Sequence, residues 1–478
     1  MSGASLPWLA ALRQRLGTRH VLTSPAELLS YESDALTLFR CKPAAVVLPA
    51  NAEEVAFTMA LLHEHGVVCT PRGAGTGLSG GALVPEGGVI LSTTRMQAIV
   101  EIDGEERRAY VEPGVINAKL SSAVAHLGLR YAPDPASQSV CTLGGNVAEN
   151  AGGPMCFLHG TTSQHVLAAD VVLADGTRQR WGHLCADGHG PDLRGLLCGS
   201  EGSLAVVVGL WLRLMPLPER VTTMLAAFSS VTAACEAVSG IVAAGLRPVA
   251  LEVMDQRAIE AVENSVYRSG LPLEAGAVLL VECEGHEAQV HEEAAAVEAM
   301  LQAQNPLRLE RGDDPARRIA LWKGRKGAGG ALGRLAPDSC VMDGVVPRSQ
   351  LANIMEFVEE VEEEVGLPVA NLFHAGDGNI HPHFAYDGRD PEQAAKVERA
   401  GARILEKCLE LGGSLSGEHG IGLEKQHLLD RQFSADTLRV MQQIGQWLDP
   451  HDCLNPGKGL PLGRGCAEAF HRHGGGAV

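Results

Sequence analysis

Pro71-Arg72-Gly73-Ala74-Gly75-Thr76-Gly77-Leu78-Ser79-Gly80-Gly81 contains Gly75-x-Gly77-x-x-Gly80, the pattern by which doubly wound dinucleotide-binding folds hold a pyrophosphate. That reading requires a helix to open at the third glycine, so that its N-terminus receives the phosphates. The next residues, Gly81-Ala82-Leu83-Val84-Pro85-Glu86-Gly87-Gly88, cannot sustain one, because proline and close-spaced glycines oppose helix. What remains is a long loop of backbone N–H groups beside Arg72, Thr76 and Ser79, which can wrap an anion without a helix dipole. The context rejects the doubly wound fold and keeps the pyrophosphate.

Working outward, apolar runs predict strands over 44–48, 67–70 and 89–92. Asn51-Ala52-Glu53-Glu54 is a capping-box-like start to a helix that Gly66 ends. A strand over 109–112, a helix over 115–127 ended by Gly128, and a long apolar strand over 204–214 complete this half before Pro216 and Pro218. Two more clusters of small and polar residues fall within it. Pro133-Asp134-Pro135-Ala136-Ser137 precedes Thr142-Leu143-Gly144-Gly145-Asn146-Val147-Ala148-Glu149-Asn150-Ala151-Gly152-Gly153, and Cys198-Gly199-Ser200-Glu201-Gly202-Ser203 leads into the last strand. Small residues let a flat ring lie against backbone, while Thr142, Asn146 and Asn150 offer polar contacts to its edge.

From about residue 220 strands over 222–228, 248–254, 278–284, 339–346, 369–373 and 380–385 alternate with longer amphipathic helices. This pattern predicts an antiparallel sheet with helices on one face, a two-layer α+β domain. Within it, His374-Ala375-Gly376-Asp377-Gly378-Asn379-Ile380-His381-Pro382-His383 crowds three imidazoles around a turn. Asp377-Gly378-Asn379 is turn chemistry, so the chain can fold back and bring His374 and His381 to one point. A second knot follows, Gly417-Glu418-His419-Gly420. His, His and Glu with an open fourth position is a catalytic arrangement for zinc or a similar divalent ion. Glu418 and His419 are neighbours, so in an extended backbone one can face a metal and the other something else.

Taken in order, the three glycine-rich clusters resemble the FAD-binding domain of the vanillyl-alcohol oxidase/p-cresol methylhydroxylase (PCMH) superfamily. Trp322-Lys323-Gly324-Arg325-Lys326, His374-x6-His381 and Ser416-Gly417-Glu418-His419-Gly420-Ile421-Gly422 resemble the FAD-dependent D-2-hydroxyacid dehydrogenases. Among these, the likeness is to the bacterial glycolate oxidase flavoprotein subunits and the D-lactate dehydrogenases that reduce cytochrome c or quinone. The resemblance runs from about residue 20 to 462. It implies an α+β chain in which an N-terminal helical segment, 1–40, packs on a PCMH-type FAD-binding domain, 41–218. A substrate and metal-binding cap domain, 219–448, follows on an antiparallel sheet. A final segment, 449–478, returns to the FAD domain and ends in a disordered tail.

The same resemblance implies roles. Arg72, Gly73, Ala74, Gly75, Thr76, Gly77, Ser79 and Gly80 hold the FAD pyrophosphate. Pro133, Asp134, Ser137, Thr142, Gly145, Asn146, Asn150 and Gly152 line the isoalloxazine and ribityl side, and Glu201, Gly202 and Asn455 also contact FAD. His374, His381 and Glu418 are the ligands of a divalent metal, zinc or manganese. His419 is the catalytic base, and Arg325 grips the substrate carboxylate with His383 nearby. The glycine loop holds no histidine for a covalent flavin link, so FAD is expected to be dissociable. Relatives acting on D-2-hydroxyglutarate carry a lysine shortly before an aspartate in the strand after the arginine helix, and an asparagine where His383 sits. Here that strand reads Cys340-Val341-Met342-Asp343, which points to a small 2-hydroxy monocarboxylate such as glycolate or D-lactate. D-2-hydroxyglutarate or another longer 2-hydroxy acid stays the alternative.

Composition narrows the partners. A formal charge of -18 argues against nucleic acid and, for the chain as a whole, against an anionic membrane surface. No apolar run reaches the roughly 18 residues of a membrane span, and the N-terminus lacks the pattern of a signal peptide. The twelve cysteines include no Cys-x-x-Cys pair, so no iron–sulfur cluster is expected in this chain, and free thiols fit a reducing cytoplasm. Electrons must then leave to an iron–sulfur partner subunit, a cytochrome or a quinone. The expected location is cytoplasmic, or peripheral at the inner membrane through a partner, and a homodimer is admitted. A reading from another class, a metallohydrolase using His374, His381 and Glu418, leaves the glycine loop unexplained.

Overall fold

The computed structural model describes residues 6–185 and 190–459, and the backbone of 471–472. The chain divides into two compact units. Among the described residues the first comprises those within 6–217 other than 152–160, together with 418–459 and 471–472, and the second 152–160 and 218–417. The break between Leu217 and Pro218 falls between the prolines at 216 and 218. The return to the first unit starts at Glu418, ahead of the expected 449.

In the first unit a four-stranded sheet runs in the order Val21–Leu22, Ala45–Val47, Val89–Ser92, Cys69–Arg72. Ala45 and Cys69 both register with Val89 in parallel pairing. Ala45–Val47 and Val89–Ser92 are short, wholly buried and largely apolar, as strands covered on both faces must be. The helix Ala52–Glu64 opens where Asn51 Oδ1 accepts from Glu54 N at 2.9 Å, and Gly66, at φ +60°, follows its end. Trp8 and Leu12 of the helix Pro7–Leu16 pack with Val55, Met59 and Leu62 of that helix.

A second, antiparallel sheet runs Arg178–Gly182, Val166–Val172, Val206–Arg213, Arg108–Val111, Ile99–Asp103. Val206–Arg213, expected to close this half, is its central strand. The helix expected over 115–127 is shorter: Asn117–Val124 gives way to a 3-10 turn, Ala125–Leu127, and Gly128 closes it at φ +70°. The tail expected to be disordered contributes a short strand, His471–Arg472, paired with Phe39–Arg40. The rest of that tail lies outside the described residues.

The second unit is built on an antiparallel sheet in the order Arg308–Gly312, Arg220–Phe228, Ala277–Gly285, Ala250–Asp255, Val369–His374, Asn379–Ile380, Gly344–Val345. Pro382–Tyr386 lies between Val369–His374 and Asp338–Val341. One expectation needs correction. Successive strand residues face opposite sides, yet Ala250–Asp255 is buried at every position. Both faces of the central sheet are therefore covered. The helices Gln256–Glu263 and Pro315–Leu332 share one core with Leu225, Ala227, Val278 and Leu280, while Val231–Ala243 and Glu287–Ala303 pack on the same central strands. No helix among the described residues is long and apolar enough to cross a membrane, and no disulfide joins the described cysteines.

Candidate active site

In the first unit the glycine loop forms one wall of a cleft of about 1280 Å³, counting its open mouth. No helix follows Gly80. Gly75 and Gly80 adopt φ of +73° and +78°, a region where a Cβ is strained. A Cβ at Gly73 would also run into the Thr142 hydroxyl. The loop is thus bare because its backbone is bent and close-packed, and the bareness leaves room for an anion beside it.

Of the expected FAD contacts, Arg72, Gly73, Ala74, Gly75, Thr76, Gly77, Ser137, Thr142, Gly145, Asn146, Glu201 and Gly202 line this cleft. Thr142 caps the helix Leu143–Glu149 by accepting from Gly145 N at 3.3 Å, which presents Gly145 and Asn146 to the cleft. Ser79, Gly80, Pro133, Asp134, Asn150 and Asn455 are not among the residues that line it. Gly152 belongs to the second unit. Asn455 acts as a clasp: its Nδ2 donates to the carbonyls of Gly81 (3.1 Å) and Glu201 (2.5 Å), and its Oδ1 accepts from Thr70 at 2.8 Å. Asn150, Glu201 and Asn455 all sit at positive φ, uncommon for residues with a side chain and a sign that the surrounding structure dictates their conformation.

Arg72 is buried and held on its own side, its Nη2 donating to Ser33 O at 2.8 Å with the guanidinium stacked over Tyr31. The cleft also holds an acid that the sequence reading left without a role, Glu149. Burial, and next the neighbouring Glu201 carboxylate, push Glu149 well above the usual carboxylate range. Burial raises Glu201 too, against the pull of the Gly422 and Ile421 N–H groups that donate to it at 2.7–3.0 Å. Burial lowers Lys458 to about 8. Cys141 lines the cleft as well, but burial raises its thiol, which keeps it protonated and a poor nucleophile.

Glu418 and His419 both line this same cleft. Ile421 and Gly422, which follow them, are pinned by Glu201, so the acid of the third glycine cluster fixes the turn that carries His419.

In the second unit, the hairpin at Asp377–Gly378 brings the His374 and His381 rings to a centroid separation of 5.2 Å, edge to face. Gly378, at φ +83°, makes the turn. His374 Nδ1 lies 2.7 Å from Glu252 Oε1. His381 Nδ1 lies 3.3 Å from Met342 O and 4.0 Å from Asp343 Oδ1. Oxygen acceptors on Nδ1 leave the ring lone pair on Nε2, the usual arrangement in a metal-binding imidazole. The donor set of this unit therefore fits a divalent cation.

Arg325, buried on the helix Pro315–Leu332, meets Glu252 Oε2 in an ion pair of 2.5 Å. Its Nε is buried without a hydrogen bond among the described residues, a donor available to an oxyanion. Burial opposes the charge of Glu252, yet Arg325 and His374 hold its carboxyl below the usual range. Asp343 accepts from Ser416 Oγ (2.5 Å) and Gly417 N (3.1 Å), fixing the chain just before Glu418. His383 is half-buried on Pro382–Tyr386. His159 pairs with Glu284 at 2.6 Å within the second unit, and His165 packs edge-on to Tyr131. Neither histidine lines the cleft.

Sequence reasoning missed Glu252, Asp343 and Glu149. Glu252 is the single acid inside an otherwise apolar run, Ala250-Leu251-Glu252-Val253-Met254. A charge there must be paired if the strand is buried, and that signal was available.

Residues 43–182 match the family model described as FAD binding domain, and residues 217–459 that of FAD linked oxidases, C-terminal domain. The chain is 42% identical over 469 residues to glycolate oxidase subunit GlcD of Escherichia coli (strain K12), covering 98% of this chain and 94% of that one. It is 30% identical over 458 residues to D-lactate dehydrogenase of Anaerostipes hadrus, covering 93% and 95%. A crystal structure of p-cresol methylhydroxylase with substrate bound superposes with a TM-score of 0.78 at 17% identity, covering 95% of this chain and 96% of that one. At that identity the likeness speaks for the fold alone.

Proposed function

This chain belongs to the FAD-linked oxidase family, and from that premise we propose that it oxidises a small 2-hydroxy monocarboxylate, glycolate or D-lactate, to the 2-oxo acid. The observation that carries the reading is that His419, the proposed base, lines the same cleft as the glycine loop. FAD supplies a hydride acceptor when bound, and a divalent cation supplies Lewis acidity at the substrate hydroxyl. In this reading the cleft residues from Arg72 to Gly77 hold the pyrophosphate by backbone N–H groups. His374, His381 and Glu418 are the metal ligands. Arg325 fixes the carboxylate by a charge-assisted contact, and the imidazole of His419 takes the hydroxyl proton. Electrons then pass to a partner subunit, a cytochrome or a quinone. The metallohydrolase alternative gives the FAD-binding domain no role.

The flavin is expected to be non-covalent. Acid or heat denaturation should release it into the supernatant, and flavin that stays with the precipitated chain would contradict this. Gly77→Glu should yield apoprotein, because the new carboxylate would enter the cleft beside Glu149, whose Oε1 already lies 3.7 Å from the Cβ position. The check is flavin content per folded chain.

Charge counting favours a monocarboxylate. Arg325 and one divalent cation carry three positive charges, of which Glu252 and the proposed ligand Glu418 already take two, so little is left for more than one substrate carboxylate. A second, unpaired carboxylate would cost several kcal/mol to bury, and Val341 and Met342 offer it no cation. Glycolate or D-lactate should therefore exceed D-2-hydroxyglutarate and D-malate in kcat/KM. A diacid ahead of both monoacids by tenfold, about 1.4 kcal/mol of transition-state preference, would overturn the substrate class.

A further inference from the structure

Glu252 is fully buried, and its two oxygens serve two different groups: Oε1 meets His374 Nδ1 at 2.7 Å and Oε2 meets Arg325 at 2.5 Å. Three elements converge on it. Ala250–Asp255 carries Glu252, Val369–His374 registers His374 directly opposite it, and Pro315–Leu332 brings in Arg325. We propose that Glu252 is a positioning residue that fixes the tautomer of His374 for cation binding and at the same time holds the Arg325 guanidinium for the substrate carboxylate. This rests on the proposed function for what His374 and Arg325 bind.

The reason lies in donor and acceptor counting. A carboxylate only accepts, and an arginine only donates. With Oε1 accepting from the ring, the proton of neutral His374 sits on Nδ1 and the lone pair on Nε2, where a cation can take it. Oε2 balances the guanidinium charge, which would otherwise be buried beside the cation. A single acid thus keeps one group basic and the other in place. Glu282, on the neighbouring strand, has a different task and accepts from Trp322 Nε1 at 2.7 Å on the arginine helix.

The decisive substitution is Glu252→Gln, which keeps the shape. An amide has one acceptor oxygen and one NH2. With the oxygen turned to Arg325, the NH2 faces His374 Nδ1, makes that nitrogen the acceptor and moves the proton to Nε2. The test titrates chelator-stripped holoprotein, FAD retained, with Zn2+ or Mn2+ in competition with a chelator. Metal affinity should fall roughly 10- to 100-fold, the usual cost of losing an outer partner of a ligating histidine. Arg325→Met, which leaves the Glu252–His374 contact intact, should change metal affinity by less than about threefold while raising KM. Equal metal affinity in wild type and Glu252→Gln would overturn the proposal.

A second readout needs no metal. In histidine-selective 15N spectra of the apo-metal protein, wild-type His374 should show protonated Nδ1 and pyridine-like Nε2, and Glu252→Gln should show the reverse. A His374 already protonated on Nε2 in the wild type would overturn the inference. A wild type that binds no metal yet shows the tautomer switch would sustain the role of Glu252 and sink the metal reading. The flavin content of each variant reports that the chain has folded.

Discussion

His374→Ala and Glu418→Ala are each expected to strip the divalent metal and abolish turnover while the protein stays yellow. The colour should persist because the glycine loop and the two other glycine-rich clusters, which supply most of the cleft lining, are untouched, although Glu418 itself lines the cleft. The loss should exceed the roughly 10- to 100-fold expected for Glu252→Gln, since a ligand is removed rather than misdirected. Chelation of the wild type should reproduce the phenotype, with activity restored by Zn2+ or Mn2+. Metal analysis beside flavin absorbance checks this. Full metal content in both variants would refute the ligand assignment, and loss of flavin along with metal would mean that the two sites are not separable.

His419→Asn is expected to retain FAD and metal and to slow flavin reduction by roughly 10²–10⁴-fold, the usual contribution of a positioned base. The structural basis is double. His419 lines the cleft beside the glycine loop, and the turn after it is anchored by Glu201 through Ile421 and Gly422. Asparagine keeps the size and polarity of the imidazole near the backbone but cannot take up the proton. Stopped-flow reduction of the flavin by substrate measures the step directly. An unchanged rate would mean that the hydroxyl proton leaves by another route.

Much of this site was legible in the sequence because its chemistry is local. The proline and glycines after Gly80 ruled out a helix at the glycine loop, and the structure has none there. His374 and His381 could be placed together because Asp377-Gly378-Asn379 can only turn. The arrangement behind these residues was not legible, because it is made by pairs far apart in sequence. Glu252 and His374 are separated by 122 residues, and Asn455 and Gly81 by 374. Asp343 was read as part of a strand lacking a cation, whereas it anchors Ser416 and Gly417 ahead of Glu418. The expectation of helices on one face of the second sheet failed for a related reason. Alternation of polar and apolar residues marks a half-solvated strand, and the unbroken run Ala277-Val278-Leu279-Leu280-Val281 was a sign of cover on both sides.

Long-range partners also fix two of the residues expected at FAD. Arg72, expected at the pyrophosphate, lines the cleft while its guanidinium donates to Ser33 O and stacks over Tyr31. Asn455, also expected at the cofactor, ties Gly81 to Glu201. Both residues hold the walls of the cleft, so Asn455→Ala should weaken FAD retention, read as flavin content per folded chain.

The central claim is that a small 2-hydroxy acid delivers hydride to the flavin in a reaction that needs the cation. Anaerobic mixing of the yellow holoprotein with glycolate, D-lactate, D-malate and D-2-hydroxyglutarate in turn, before and after chelation, tests it most directly. The account predicts rapid bleaching by glycolate or D-lactate that chelation abolishes and added Zn2+ or Mn2+ restores. A flavin that stays oxidised with every acid, or that bleaches equally fast without the metal, would contradict it.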